Sequence, residues 1–284
     1  MSNSASSTPG ASTRIFAGRI EHARRWDACG PWLAVKPGVA HRRAVWHARG
    51  MPSLQGKTLL VTGASSGIGR ALCQLLVERG ANVLGITRRP GVLSEDVSPL
   101  VADLTQREDI TRVFHGLGRI DGLVNCAGVA YLSRIIDGNP TDWEEMWRVN
   151  VMALTLCCQL SLTHFPADGG RIVNVSALSG HRVPPTGGFY APTKFAVRAV
   201  TDALRAELKA MGSPIQVACV SPGYVDTPLL DNYFRGREES LSQTRAVMKM
   251  LDPEDVAWAI LGILEAPGHV EIADILIRSA QQRL

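Results

Sequence analysis

The pattern of apolar and polar positions changes at Lys57, where short apolar runs begin to alternate with longer amphipathic segments. Runs that are apolar throughout are typical of strands buried on both faces of a sheet. Amphipathic segments with a period of about 3.6 residues are typical of helices. The pattern predicts strands at Thr58–Thr62, Asn82–Thr87, Leu100–Ala102, Gly122–Asn125, Arg171–Val175, Ile215–Val220 and Val270–Leu276. It predicts helices at Ile68–Arg79, Arg107–Gly116, Thr141–Phe165, Tyr190–Met211 and Pro253–Leu264.

This alternation of strands and helices predicts the fold class. Strands joined by helical crossovers form a parallel sheet with right-handed connections. We therefore expect residues 54–284 to form one α/β domain, a doubly wound Rossmann-type parallel sheet with helices on both faces.

The first 53 residues differ in charge from the rest of the chain. Residues 1–50 hold eight Lys or Arg and two Asp or Glu, so the remaining residues carry a net charge of −2. We interpret residues 1–53 as a basic, flexible extension, with an organelle transit peptide as the alternative. The sequence contains no apolar signal core, no run of about 18 apolar residues and no basic stripe on the body. The chain is therefore predicted to be cytoplasmic, without a membrane or nucleic-acid partner.

The six cysteines and seven histidines do not suggest a metal site. The sequence contains no Cys-x-x-Cys pair and no Cys/His cluster with the spacing of zinc ligands. Cysteines scattered in apolar segments are typical of buried free thiols. No metal is therefore predicted.

A glycine-rich stretch follows the first predicted strand and opens the first helix. It reads Thr-Gly-Ala-Ser-Ser-Gly-Ile-Gly over residues 62–69. Gly63 allows a tight turn, Gly67 lets the backbone approach a pyrophosphate, and Gly69 lets the helix pack against the strand. The N-terminus of the helix offers unpaired N–H groups and a partial positive charge to phosphate. The predicted phosphate site consists of Gly63, Ser65, Ser66, Gly67, Ile68 and Gly69.

The residues after the second predicted strand indicate which dinucleotide is bound. An acidic side chain there would accept a hydrogen bond from the ribose 2′-hydroxyl of NAD(H). This strand is instead followed by Arg88 and Arg89. Because guanidinium groups bind phosphate through several hydrogen bonds, the predicted cofactor is NADP(H), with solvated loop charges as the alternative.

The glycine spacing and several later motifs resemble the short-chain dehydrogenase/reductase family. The later motifs occur in the family's order: Asp103-Leu104, Asn125-Cys126-Ala127-Gly128, Asn150, Tyr190-Ala-Pro-Thr-Lys194, Pro222-Gly223 and Thr227. The resemblance implies that Asp103 and Leu104 contact adenine. It further implies cofactor contacts from Asn125, Ala127, Gly128, Tyr190, Lys194, Pro222, Gly223, Val225 and Thr227. Segments such as Ser-Gly-His-Arg-Val at 179–183 resemble members acting on 3-hydroxy acids such as serine, and carbonyl and steroid reductases.

Tyr190 and Lys194 carry the predicted chemistry. Residues four apart lie on one face of a helix. An ammonium beside a phenol stabilises the phenolate and so lowers the pKa of the phenol below its usual value of about 10. The resemblance implies that Tyr190 is the general acid/base, that Lys194 also binds the nicotinamide ribose, and that Asn150 holds a water for proton relay. The predicted function is hydride transfer between nicotinamide and a carbonyl or secondary alcohol.

The sequence departs from the family at one catalytic position. The family's serine lies about thirteen residues before the tyrosine, and here that position is Ala177. Ser176 is one place early and Ser179 two places late, and a shift in the following loop would bring Ser176 into the site. Two functions therefore remain open. One is an active carbonyl reductase or alcohol dehydrogenase, and the other is a weakened NADP-binding protein with a regulatory role.

The sequence gives less information on substrate and assembly. We expect residues 228–250 to form the substrate loop. Its apolar residues Leu229, Leu230, Tyr233 and Phe234 would cover an apolar substrate or pack as an ordinary lid helix. Arg182 or Arg235 would pair with a substrate carboxylate unless they are merely solvated. Residues 151–162 are apolar around much of a helix, which predicts a homodimer or homotetramer, with burial inside one chain as the alternative.

Overall fold

The structure, a computed structural model, describes residues 53–185 and 187–282. The predicted basic extension therefore lies, except for Ser53, outside the described residues, and it stays a prediction. Within the described residues, no helix has both the length and the apolar character needed to cross a membrane.

The described residues contain a seven-stranded parallel sheet. Its strands are β1 (Thr58–Thr62), β2 (Asn82–Thr87), β3 (Val97–Val101), β4 (Gly122–Asn125), β5 (Arg171–Val175), β6 (Gln216–Pro222) and β7 (Asp274–Ile277). Their order is β3-β2-β1-β4-β5-β6-β7, and every neighbouring pair is parallel. The order changes direction between β1 and β4, where doubly wound sheets open a crevice at the carboxyl ends of the strands. The predicted fold class is confirmed.

Helices cover both faces of this sheet. They are α1 (Gly67–Glu78), α2 (Arg107–His115), α3 (Pro140–Trp147), α4 (Leu154–Ser161), α5 (Tyr190–Ala210), α6 (Pro228–Tyr233), α7 (Glu238–Val247) and α8 (Pro253–Leu264). One core cluster joins alternate strand residues such as Val61 and Val173 to α1 and α8. The other joins their neighbours, such as Leu60 and Ile172, to α2, α4 and α5. Because successive residues of a strand point to opposite faces, two covered faces explain the continuous apolar runs.

The structure differs most from the predicted elements in four places, the first of which is the predicted substrate loop at residues 228–250, which contains α6 and α7. The single helix predicted at 141–165 is instead α3, a π-helical segment at Arg148–Ala153, α4 and a short 3₁₀ turn. Strand β3 starts at Val97 and includes Pro99, which an edge strand tolerates because its outer N–H groups need no partner. Strand β7 starts at Asp274 rather than Val270, because its ladder with β6 begins at the pair Cys219 and Asp274.

Candidate active site

A cavity of about 1240 Å³ lies at the carboxyl ends of the strands. Its wall contains most of the residues singled out from the sequence: Gly63, Ser65, Ser66, Gly67, Ile68, Gly69, Arg88, Arg89, Asp103, Leu104, Ala127, Gly128, Ser176, Tyr190, Lys194, Pro222, Gly223, Val225 and Thr227. Asn125 and Asn150 are not part of this wall. The sheet thus brings together, in one cavity, segments that are more than a hundred residues apart in the chain.

The backbone of the glycine turn between β1 and α1 leaves no room for side chains at two of its glycines. Gly63 has a φ of +69°, and a Cβ there would lie 2.8 Å from the Cα of Ala127. A Cβ at Gly69 would lie 2.3 Å from the carbonyl oxygen of Gly63. The side chain of Ser66, which precedes α1, makes no capping hydrogen bond. The N–H groups of the first helical turn are therefore available, and this cradle fits the pyrophosphate of a dinucleotide.

The β2 and β3 end of the cavity has the charge expected for a phosphorylated ribose. Arg88 and Arg89 are exposed, line the wall and directly follow β2. The carboxylate of Asp103 also lines this region, but its Oδ1 accepts hydrogen bonds from the Thr105 N–H and hydroxyl, each at 2.9 Å. The two guanidinium groups are thus the cationic side chains of this part of the wall.

Tyr190 is the first residue of α5. A helix that begins there can contain Pro192 in its first turn, because the N–H groups of that turn have no intrahelical partner. Burial raises the pKa of the Tyr190 phenol, and the nearby phenol of Tyr233 raises it further. This direction is opposite to the one expected from the Lys194 ammonium, and its largest cause is desolvation of the phenolate. The Tyr190 phenol therefore keeps its proton at neutral pH.

Lys194 lies one helical turn further on and is almost fully buried, with 5% exposure. Its Nζ donates a hydrogen bond to the carbonyl oxygen of Val175 at 3.0 Å and lies 5.7 Å from the ring centre of Tyr190. Burial lowers the pKa of the ammonium to about 8. The group therefore stays predominantly charged at neutral pH but loses its proton more readily than a solvated lysine.

The two asparagines outside the cavity wall have structural partners. Asn150, in the π-helical segment, exchanges hydrogen bonds of 2.9 Å with the N–H and the carbonyl of Val129, and it donates to the Thr193 hydroxyl at 3.1 Å. Asn125 donates to the side chain of Asn174 at 2.9 Å in the core. Asn150 thus links α5 to the loop after β4. Its water-holding role and the cofactor contact of Asn125 stay predictions.

The substrate end of the cavity is mostly apolar. It is lined by Ala130, Val149, Val183, Pro184, Leu229, Leu230, Tyr233, Val247 and Met248. Of the two arginines considered for a substrate carboxylate, Arg182 lines the cavity. Arg235 instead places its guanidinium 5.3 Å from the ring centre of Tyr131 and is not part of the wall.

Three polar residues of this end were missed by the sequence analysis. Glu145, Gln281 and Gln282 all line the cavity. The amide oxygen of Gln282 accepts a hydrogen bond from the Tyr224 N–H at 3.0 Å, and that of Gln281 from the Lys249 N–H at 2.6 Å. These contacts place the C-terminal segment against Tyr224, which precedes α6, and against Lys249, which follows α7. Nothing in the local sequence identifies them, because they depend on how distant segments meet.

The position of the family's catalytic serine can be compared with the contacts of Ser176 and Ala177. Ser176 is buried, and its hydroxyl donates to the backbone carbonyl of Lys194 at 2.8 Å. Ala177 lines the cavity and has no hydroxyl group to offer, and Ser179 lines it from the 3₁₀ turn that follows. The shift that would make Ser176 a substrate ligand is therefore not observed, since its proton is used to hold α5.

Residues 57–238 match the family model described as short chain dehydrogenase. The chain belongs to this family. It is 35% identical to "Dehydrogenase/reductase SDR family member 11" of Homo sapiens over 254 residues, covering 82% of this chain and 98% of that protein. The corresponding protein of Bos taurus is 37% identical, over 82% of this chain and 99% of its own.

Solved structures of the family agree with this assignment. A serine dehydrogenase in its closed form, complexed with NADP+, aligns with a TM-score of 0.75 and 26% identity, over 80% of this chain and 96% of its own. A 3-ketoacyl-(acyl-carrier-protein) reductase from Brucella melitensis, complexed with NADH, aligns with a TM-score of 0.68 and 25% identity, over 79% and 98%. The chain is therefore an oxidoreductase of a family that uses nicotinamide cofactors, and these structures contain both forms.

Proposed function

We propose that this short-chain dehydrogenase is an NADP(H)-dependent carbonyl reductase or secondary-alcohol dehydrogenase with Tyr190 as its general acid/base. The observation that supports this best is the position of the Tyr190 phenol and the Lys194 ammonium in the wall of the cavity that the glycine turn opens. The residues of that turn fit a dinucleotide pyrophosphate, and the catalytic pair lies further along the same cavity.

The choice of NADP(H) rests on charge. Arg88 and Arg89 follow β2, and no acidic residue occupies residues 82–91. A ribose 2′-phosphate would gain bidentate hydrogen bonds there, whereas the 2′-hydroxyl of NAD(H) would find no carboxylate acceptor after the strand. The NADP+ complex of the serine dehydrogenase is consistent with this choice.

In the proposed mechanism, side chains of this protein transfer the proton and stabilise the charge that develops. A bound nicotinamide would supply the hydride for reduction. Tyr190 donates its phenolic proton to the substrate oxygen as negative charge develops there. Lys194 is held by the Val175 carbonyl, and its positive charge stabilises the phenolate that remains. Asn150 fixes the start of α5 through Thr193 and so orients both groups.

The substrate class follows from the apolar end of the cavity. Leu229, Leu230, Val247 and Met248 favour a ketone or aldehyde with apolar substituents. Arg182 would accommodate a carboxylate, as a 3-oxo acid requires. Ala177 supports a second candidate, a weakened NADP-binding protein, because the loss of one hydrogen-bond donor to the substrate oxygen costs about 10²–10³ in rate.

The test is NADPH consumption with diketones, aldehydes, steroids and 3-oxo acids, measured alongside NADPH binding. We expect reduction of at least one apolar ketone, and we expect Tyr190→Phe to lose that activity while it still binds NADPH. NADPH binding without reduction of any carbonyl would favour the weakened protein. An absence of binding to NADPH and NADH would contradict both candidates.

A homodimer or homotetramer in the cytoplasm is proposed for the assembled protein. Trp147, Met152 and Phe195 expose 41%, 55% and 39% of their surface on α3, the π-helical segment and α5. Apolar surface of this kind is typical of contacts between subunits. We expect sedimentation at micromolar concentration to give at least twice the mass of one chain, and a single monomeric mass would contradict the proposal.

A further inference from the structure

A carboxylate lies in the mostly apolar substrate end of the cavity. Glu145 on α3 and Val149 in the π-helical segment both line the wall. They are four residues apart, a spacing that places side chains on one face of a helix. Glu145 is half-buried, whereas Glu144, Trp147 and Arg148 are exposed. Glu145 therefore belongs to the face that α3 turns toward the cavity.

The contacts of α3 place this face beside the start of α5. The ring of Trp143 stacks on that of Phe189, with 5.6 Å between the ring centres. The Trp147 ring lies 6.3 Å from the same phenyl ring. Phe189 directly precedes Tyr190, the first residue of α5. Glu145 lies between the two tryptophans along α3, so it belongs to the part of the wall that adjoins the catalytic helix.

A phenol outside the cavity wall holds the carboxylate. The Tyr131 hydroxyl donates a hydrogen bond to Oε2 of Glu145 at 2.9 Å. Burial raises the pKa of the Tyr131 phenol, and the hydrogen bond with Glu145 raises it further, so the phenol keeps the proton that it donates. Because Tyr131 is not part of the wall, this hydrogen bond orients the carboxylate without filling the cavity.

The second oxygen of the Glu145 carboxylate is without a partner in the described part of the chain. Among these residues, the side chain makes no other hydrogen bond and no ion pair, and Arg182 in the same cavity wall is not paired with it. Its Oε1 is not one of the fully buried side-chain atoms that lack a partner there, so this oxygen is accessible. A carboxylate accepts several hydrogen bonds, and Glu145 therefore keeps acceptor capacity for a ligand in the cavity.

We propose that Glu145 selects substrates that carry a hydrogen-bond donor, an ammonium or a hydroxyl group, in addition to the carbonyl that is reduced. This inference rests on the proposed carbonyl reduction and leaves the chemistry at Tyr190 unchanged. Hydrogen bonds between two charged groups are stronger than those with a neutral donor. An ammonium is therefore preferred to a hydroxyl, and a hydroxyl to a methyl group. Arg182 is the competing determinant, because it would select a carboxylate.

The test uses NADPH and a series built on the ketone that the screen finds to be turned over fastest. Its members differ only in the terminal group, which is an ammonium, hydroxyl, methyl or carboxylate, and the series is made at several chain lengths. At one or more of these lengths, we expect the wild type to have a kcat/KM for the ammonium ketone at least about tenfold above that for the methyl ketone. The carboxylate ketone should fall below the methyl ketone, because like charges repel.

Glu145→Gln removes the charge and keeps an acceptor for the Tyr131 hydroxyl. We expect it to bring the ratio of the ammonium to the methyl ketone within about threefold of one, while kcat/KM for the methyl ketone stays at the wild-type value. Glu144→Gln is the matched control, because it removes an exposed carboxylate from the same helix outside the cavity wall. It should leave the ratio unchanged. NADPH affinity, measured by fluorescence titration, should be the same in all three proteins.

Three results would overturn this inference and leave the proposed function intact. They are a wild-type ratio near one at every chain length, equal ratios in the two variants, and a wild-type preference for the carboxylate ketone, which would assign the selection to Arg182. NADPH binding without turnover of any ketone by the wild type would overturn it in favour of the weakened protein. An absence of NADPH binding would overturn the proposed function as well.

Discussion

The two ends of the cavity are built in different ways. At the cofactor end, the eight consecutive residues 62–69 form the turn. The backbone determines the shape of this turn, because Gly69 lies too close to the Gly63 carbonyl to have a side chain. At the substrate end, the wall comes from separate segments, including Arg182, α6 and Gln282. The first end is thus a local property of the chain, whereas the second exists only after the chain has folded. A single variant at the first end should therefore have a large effect of its own. At the second end, the effect of one variant should depend on the other segments of the wall.

Gly69→Ala should produce the largest effect at the cofactor end. The new Cβ would lie 2.3 Å from a backbone oxygen, so the start of α1 must move away from the turn. We expect NADPH affinity to fall by at least about a hundredfold, or about 2.7 kcal/mol, in a fluorescence titration. Gly262→Ala in α8 is the control, because its Cβ would meet nothing within 4 Å. Equal affinities of the two variants would show that the turn does not bind the phosphates.

Arg88→Asp should have a smaller and more selective effect. It replaces a phosphate-binding cation by an anion, so we expect NADPH affinity to fall by about ten- to thirtyfold while NADH affinity holds or improves. Arg107→Asp, an exposed charge reversal on α2 outside the cavity wall, should leave the ratio of the two affinities unchanged. An unchanged ratio in Arg88→Asp would remove Arg88 from the cofactor site.

Lys194→Met should show a pH-dependent difference in stability. The pKa of Lys194 is lowered in the folded protein to about 8 from 10.5. Between these values the unfolded chain binds more protons, so this lysine's contribution to stability increases with pH. We expect the variant to melt above the wild type at neutral pH, and the gap to narrow as the pH approaches 10. A gap that stays constant in thermal melts across this range would contradict the lowered pKa.

Ala177→Ser should have the smallest effect if another group of the wild type already donates to the substrate oxygen. We expect kcat/KM to rise by no more than about threefold. A rise of about a hundredfold or more would show that the position lacks a donor in the wild type, and it would favour the weakened protein. Steady-state kinetics with the same ketone distinguishes the two results.

The sequence predicted best those features that depend on neighbouring residues. The bounds of β1, β2, β4, β5 and α8 agree with the prediction; α8, for example, starts after a capping box between Asp252 and Asp255. The glycine turn was predicted for the same reason. The π-helical segment around Asn150 was not, because its amide bonds to Val129 and Thr193 connect it to other elements. The contact between Tyr190 and Tyr233 and the position of Gln282 likewise depend on tertiary packing.

Transfer of deuterium from NADPH labelled at its hydride position tests the central claim most directly. We predict that mass spectrometry will find the label on the carbinol carbon of the reduced ketone after incubation with the wild type. The same incubation with Tyr190→Phe should leave the ketone unlabelled although the variant binds NADPH. Unlabelled product from the wild type, or labelled alcohol formed at the wild-type rate by Tyr190→Phe, would contradict the account.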